Sequence, residues 1–118
     1  MIFACLLRED YRATSVSMQP FAIAQRGCVV GALFAPTQDI VISNDVEAFI
    51  RIIARVNGSQ RPIGNLRLGR GKYKADEPVT FKLNSSTTLE GGEMLYVLKE
   101  ITSGALAIPE SLVQVECR

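Results

Sequence analysis

The chain of 118 residues contains no histidine and no tryptophan. Histidine is the commonest general base, the usual partner of serine and cysteine nucleophiles, and the commonest zinc ligand. Its absence removes most routes to nucleophilic, hydrolytic and zinc-dependent catalysis. We therefore expect no catalytic residue, no metal site and no cofactor, and hence a protein that is not an enzyme.

Cysteine is scarce as well, with three residues at Cys5, Cys28 and Cys117. An odd number of cysteines at wide spacing does not form a disulfide framework, and it also lacks the close spacing of a metal site. Cys5 and Cys28 stand in apolar runs. We interpret the cysteines as buried thiols in a reducing compartment.

Long hydrophobic runs are missing too. The first apolar run, Ile2–Leu7, is too short for the core of a signal peptide, and no charged residue precedes it. No other run approaches the length that spans a bilayer. We expect no signal peptide, no membrane contact, and a cytoplasmic or virion-associated location.

What the sequence does contain is an ordinary globular composition, with 47% hydrophobic and 21% charged residues. This length and composition predict a single domain over residues 1–118. The formal net charge is +1, but residues 48–75 hold seven cations and no acid, whereas the segments on either side are net negative. Such a basic middle either binds a polyanion or pairs with the acidic ends, within one subunit or between subunits.

Short strands are predicted along most of the chain. Apolar runs and alternating residues mark them, turn residues separate them, and they cover residues 2–7, 28–34, 40–42, 79–83, 94–98 and 112–115. This pattern predicts a β-rich fold, a small antiparallel sandwich or barrel of short strands.

The last part of the chain resembles the final strands of an SH3-like barrel. The residues that carry this resemblance are Gly92–Leu98, then a turn, then Ile108–Val113. The resemblance implies a small closed or sandwiched sheet. It implies no ligand groove, because the peptide-binding aromatic residues of SH3 domains are not evident here.

The segment 45–57 fits two structures. As a helix, it has Asn44 in the capping position with Glu47 three residues later, it ends at Gly58, and its apolar residues share one face. As a strand, it alternates apolar residues from 48 to 56, and Asn57-Gly58 forms a hairpin turn. We expect one helix near 45–57, which makes the fold α+β, and we keep an all-β fold as the alternative.

The candidate functional surface is the basic stretch 61–74, which carries five cations and no acid. Alternate cations on a twisted strand, with glycines that let a ligand approach the backbone, form a ridge that follows phosphates. Tyr73 lies among these cations and could stack on a base. The candidate contacts to a polyanion or to another subunit are Arg51, Arg55, Arg61, Arg67, Arg70, Lys72, Tyr73 and Lys74.

These features favour a non-enzymatic structural, assembly or protein-interaction module that acts as a homo-oligomer or in a larger complex, for example as a virion accessory protein. The alternative is a module that binds nucleic acid or another polyanion through residues 61–74. A distant alternative is a small carboxylate-dependent hydrolase. The chain has two pairs of adjacent acids, Glu9/Asp10 and Asp76/Glu77. On a strand the two members of each pair would point to opposite sides, so they would not share a proton.

Overall fold

A computed structural model describes residues 2–7, 14–16 and 21–118 of the chain. These residues form antiparallel β-structure, with no helix among them. The strands found in this part of the chain are β1 (Ile2–Leu7), β2 (Thr14–Val16), β3 (Phe21–Ala22), β4 (Gly27–Pro36), β5 (Ile40–Ile42), β6 (Glu47–Val56), β7 (Ser59–Leu68), β8 (Gly71–Tyr73), β9 (Val79–Thr80), β10 (Lys82–Leu83), β11 (Thr88–Leu89), β12 (Met94–Ser103) and β13 (Ser111–Cys117).

The strands form two curled sheets and one ribbon. Sheet 1 has the order β1-β13-β4-β11, with β9 also paired to β4. Sheet 2 has the order β10-β7-β6-β12-β2, with β3 also paired to β12, and the ribbon pairs β5 with β8. All of these pairs are antiparallel, and the curled sheets form half-barrels. The predicted antiparallel β architecture is therefore confirmed, although four of its strands are ten residues long rather than short.

One hydrophobic cluster lies between the sheets. Alternate residues of each long strand point into it, because successive side chains of a strand project to opposite faces. Phe34 and Val113 enter it from sheet 1, and Ile50 and Val97 enter it from sheet 2, each at most 2% exposed. Phe81 is also buried there, at the point where the chain passes from β9 in sheet 1 to β10 in sheet 2.

The helix expected near 45–57 is wrong, because this segment forms strand β6 at the centre of sheet 2. Every residue of β6 from 48 to 56 has a cross-strand partner on β7, and most also have one on β12. Every second residue of β6 points into the core, as expected of a strand, with 0–1% exposure at Ala48, Ile50, Ile52 and Ala54. The all-β alternative is confirmed.

The residues that suggested helix caps belong to turns. The Ser43 hydroxyl donates a hydrogen bond to the carboxylate of Asp45, and the amide of Val46 donates to the carbonyl of Ser43. Asn57 and Gly58 have φ angles of 49° and 81°, and they join β6 to β7 as a two-residue hairpin turn. Small polar residues and glycine occur both at the ends of helices and in turns, so their presence did not distinguish a helix from a hairpin.

Candidate functional site

The structure separates the eight candidate contact residues into three places. Three of them stand on the outer face of sheet 2, namely Arg51, Arg55 and Arg67. They are at least partly exposed, and their strand positions alternate with the residues that point into the core. Arg61 lies at the inner side of the same sheet. The remaining candidates lie on or beside the β5–β8 ribbon, and they are Arg70, Lys72, Tyr73 and Lys74.

A β-bulge decides the position of Arg61. The register between β6 and β7 shifts between Ile52 and Ile53, so Ile52 pairs with Gly64 whereas Ile53 pairs with Pro62. The extra residue, Ile63, is fully buried and reverses the in-and-out alternation of the residues that precede it. As a result Arg61 pairs with the buried Ala54 and points inward instead of joining the other cations.

The inward position gives Arg61 one partner in the loop that precedes β12 and one in strand β11. Its Nη2 lies 2.8 Å from Oε1 of Glu93 and also donates to the carbonyl of Thr88. Glu93 is 5% exposed, and its carboxylate also accepts a bond from the amide of Glu90 at 2.8 Å. The hydrogen bond from Arg61 lowers the pKa of Glu93 below its ordinary value, although burial acts in the opposite direction.

The twisted strand expected to carry the alternate cations of the stretch 61–74 is not a single strand. Strand β7 ends at Leu68, and β8 begins at Gly71 in the separate ribbon. The Tyr73 hydroxyl accepts a hydrogen bond from the amide of Gly69, so this tyrosine closes the connection between the two strands. Lys72 lies 3.2 Å from Asp39 across the ribbon. The basic stretch 61–74 therefore does not form one continuous ridge.

Acids from the two ends of the chain pair with most cations of the basic middle. Arg51 approaches Glu100 at 3.7 Å, and Arg67 approaches Glu47 at 3.1 Å. Together with the Arg61–Glu93 and Lys72–Asp39 pairs, these contacts neutralise much of the charge block inside one subunit. Arg70 and Lys74 are exposed, and within the described residues no ion pair joins either of them to an acid.

The outer face of sheet 2 combines cations with aromatic rings. The guanidinium of Arg51 lies over the ring of Phe49 at 4.6 Å, and that of Arg55 lies over the ring of Tyr96 at 5.0 Å. Sequence reasoning chose the two arginines but missed the rings, since Phe49 and Tyr96 are far apart in the chain and share a face only through the β6–β12 register. Their neighbours on this face are Ile53, Pro62, Asn65, Arg67, Lys82, Met94, Leu98 and Glu100.

The outer face of sheet 1 carries several exposed apolar residues. Ile2 and Leu6 on β1 are 66% and 47% exposed, and Val30 and Leu33 on β4 are 44% and 38% exposed. The register links these strands through β13, in the rows Leu6–Leu112–Ala35 and Ala4–Gln114–Leu33. Gln114 and Glu116 of β13 lie between these apolar residues, and exposed apolar patches with polar neighbours are typical of interaction surfaces.

One edge of sheet 1 is open. Among the described strands β1 pairs with β13 alone, so no described strand covers its second edge. The strand Ile2–Leu7 contains no charge, no proline and no glycine. Most sheets protect their edges with charged residues, with proline or with a bulge. An edge without them indicates a surface that pairs with another strand.

A cavity of about 480 Å³ lies at one end of the sheets, and it is lined mainly by apolar groups such as Phe3, Ile23 and Leu89. The two arginines at its rim, Arg26 and Arg118, each pair with an acid, Glu90 at 3.3 Å and Glu116 at 3.5 Å respectively. Because these guanidinium groups already have partners, the cavity offers no dedicated charge to a ligand.

The described residues contain no cluster of three or more side chains that could hold a metal ion. No helix in this part of the chain is long and apolar enough to cross a membrane. Of the two acid pairs weighed for hydrolysis, Asp76 and Glu77 are exposed in the loop after β8, and Glu9 and Asp10 lie outside the described residues.

Comparisons of this chain with protein-family models, with curated proteins and with solved structures found no match.

Proposed function

We propose that this protein is a non-enzymatic assembly module, and that strand β1 of one copy pairs with β1 of a second copy. The observation that supports this proposal is the open, uncharged edge of sheet 1 beside an exposed apolar face. Edge strands without protecting residues add further strands readily, because their backbone donors and acceptors lack partners. The chain supplies such a strand itself, so a second copy is the simplest occupant.

The alternation within β1 suits antiparallel pairing about a two-fold axis. Such pairing places Ala4 opposite Ala4 of the second copy and Ile2 opposite its Leu6. All three of these residues are exposed on the outer face, so the apolar face continues from one copy into the next. Phe3 and Cys5, which face the core side, then stand opposite each other in the same register.

This pairing joins two copies of sheet 1 into a single sheet. Each copy contributes the path β1-β13-β4-β11, so the combined sheet has eight strands in line, with β1 and its equivalent at the centre. The pairing gives each β1 edge a second strand partner. It also places the exposed apolar residues of the two copies side by side, and larger apolar surfaces favour further association.

The acidic side chains also support a non-enzymatic function. Six of them already pair with a cation, and these are Asp39, Glu47, Glu90, Glu93, Glu100 and Glu116. A carboxylate that acts as a general acid or base needs a position from which it can reach a substrate proton. Ion pairing holds these six in structural contacts, which disfavours the hydrolase alternative.

Light scattering behind size-exclusion chromatography at increasing protein concentration tests the proposal. We expect the wild-type protein to reach twice the mass of one chain. The Leu6→Lys variant should remain a monomer, because a lysine on an edge strand disfavours pairing with another strand and would stand opposite the apolar Ile2 of the second copy.

The matched control is Val41→Lys. Val41 is an exposed apolar strand residue, at 70% exposure, but it lies on the ribbon away from β1. This variant should assemble like the wild type, and circular dichroism should show that both variants are folded. A wild-type protein that stays monomeric at every concentration would overturn the proposal, and so would equal loss of assembly in the two variants.

A further inference from the structure

The outer face of sheet 2 holds two stacked pairs of an arginine and an aromatic ring. Arg51 and Phe49 belong to β6 alone, whereas Arg55 of β6 lies over Tyr96 of β12. Between the two pairs, the register places Ile53 next to Tyr96 and Leu98 next to Arg51. The face is thus a row of planar groups on an apolar floor.

Further cations stand at the margin of this row. Arg67 pairs in register with Phe49, and Lys82 pairs with Asn65, which in turn stands opposite Arg51. The acids nearby among the described residues are Glu47 and Glu100. In the described part of this surface four cations therefore face two acids, which leaves it positive although the protein as a whole carries only +1.

We propose that the outer face of sheet 2 binds single-stranded nucleic acid. Unpaired bases stack on aromatic rings and on the planes of arginine side chains, which the two stacked pairs provide. Arg67 and Lys82 lie on the same face and contact the phosphates. Of the cations in the basic stretch 61–74 this site uses Arg67 alone, since it takes its stacking groups from β6 and β12, and it does not depend on self-association through β1.

Two polar atoms in the middle of the face support this assignment. Nε of Arg51 and Oδ1 of Asn65 are both buried and make no hydrogen bond to the described residues, although the two residues stand directly opposite each other. Buried polar atoms usually have partners. Within the described part of the chain Arg51 has a single ion pair, a long one of 3.7 Å to Glu100, so a ligand can shift this side chain at little cost and let both atoms form bonds.

Fluorescence anisotropy of a labelled single-stranded DNA of about 16 nucleotides tests the site. We expect the wild-type protein to bind it, with an affinity that falls steeply between about 50 mM and about 200 mM salt. The informative variant is Arg51→Lys with Arg55→Lys, which keeps both charges but removes both guanidinium planes. We expect it to bind about tenfold more weakly.

The matched control is Lys72→Gln with Lys74→Gln, which removes two charges from the ribbon and none from the outer face of sheet 2. We expect it to change the affinity less than the charge-conserving double lysine variant does. Thermal unfolding followed by circular dichroism confirms that each variant is folded. Measurement in the Leu6→Lys background separates binding from assembly, since binding should persist there.

Three results would overturn the proposal. One is the absence of binding at low salt. Another is an unchanged affinity in the double lysine variant, combined with equally tight binding of heparin, which would indicate a general polyanion surface without base stacking. The third is tighter binding of a blunt duplex than of the single strand, since stacked bases in a duplex cannot reach the arginine planes.

Discussion

The guanidinium of Arg61 lies 2.8 Å from the carboxylate of Glu93, which is only 5% exposed. This contact joins the beginning of β7 to the loop before β12, and the same arginine also bonds the carbonyl of Thr88. The pair therefore closes one end of the fold instead of presenting a cation to a ligand.

Replacing Arg61 should destabilise the protein markedly. In Arg61→Met the carboxylate of Glu93 stays buried without its counter-charge, and we expect a loss of about 2–3 kcal/mol, since Arg61 itself is partly exposed. Urea unfolding measures this change. The matched control is Arg67→Met, because the Arg67–Glu47 pair is more exposed and should cost less than about 1 kcal/mol. Equal losses in both variants would contradict the role given to Arg61.

Stability should fall in acid partly through Glu93. Its pKa in the folded protein lies below the value of 4.5 for an unperturbed glutamate, chiefly because Arg61 bonds the ionised form. A lowered folded pKa contributes stability that is present above pH 4.5 and is lost as the pH falls through the folded pKa. In Glu93→Gln, unfolding free energies measured by urea should be lower near neutral pH and should depend less on pH below 4.5 than in the wild type. Parallel curves for the two proteins would contradict this.

Gly104 should tolerate no side chain. Its φ angle is +74°, and a Cβ there would lie 2.6 Å from the carbonyl oxygen of Asp45 and 2.9 Å from a methyl group of Val46. Gly104→Ala should therefore lose about 2 kcal/mol or more in urea unfolding, from backbone strain and from the clash. Gly69→Ala is the control, because a Cβ at Gly69 meets nothing within 4 Å. A loss no larger than that of the control would show that the loop moves aside.

The cysteines should differ in reactivity. Cys28 is partly exposed and its Sγ lies 3.0 Å from the hydroxyl of Thr87, whereas Cys5 and Cys117 are 1% and 8% exposed. Burial also raises the pKa of the Cys117 thiol, which lowers the fraction present as reactive thiolate. With Ellman's reagent we expect the native protein to show one fast thiol, which Cys28→Ser removes, and the urea-unfolded protein to show all three. A fast phase that persists in Cys28→Ser would contradict this order.

Local patterns in the sequence predicted much of the β-structure. Strand β5 has the predicted bounds Ile40–Ile42, β1 has the predicted bounds Ile2–Leu7, and Asn57-Gly58 forms the hairpin turn of the strand alternative. These features depend on alternation, β-branched residues and turn residues, all of which act over a few positions.

The candidate site was harder to predict, since a sheet face collects residues from several strands. Phe49 and Tyr96 share a face only because β6 pairs with β12 in one particular register.

The sequence alone determined that this chain is rich in β-strands, lacks histidine chemistry and carries a basic middle. Only the tertiary structure decided between helix and strand at 45–57, because both patterns were present and the partners on β7 and β12 satisfy the backbone of the strand on both sides. It also decided which cations share a surface. One extra residue at Ile63 reverses the alternation of β7 and turns Arg61 toward Glu93, away from the outer face that carries Arg51 and Arg55. A bulge of this kind arises from how two strands align, and that alignment depends on packing across the whole sheet.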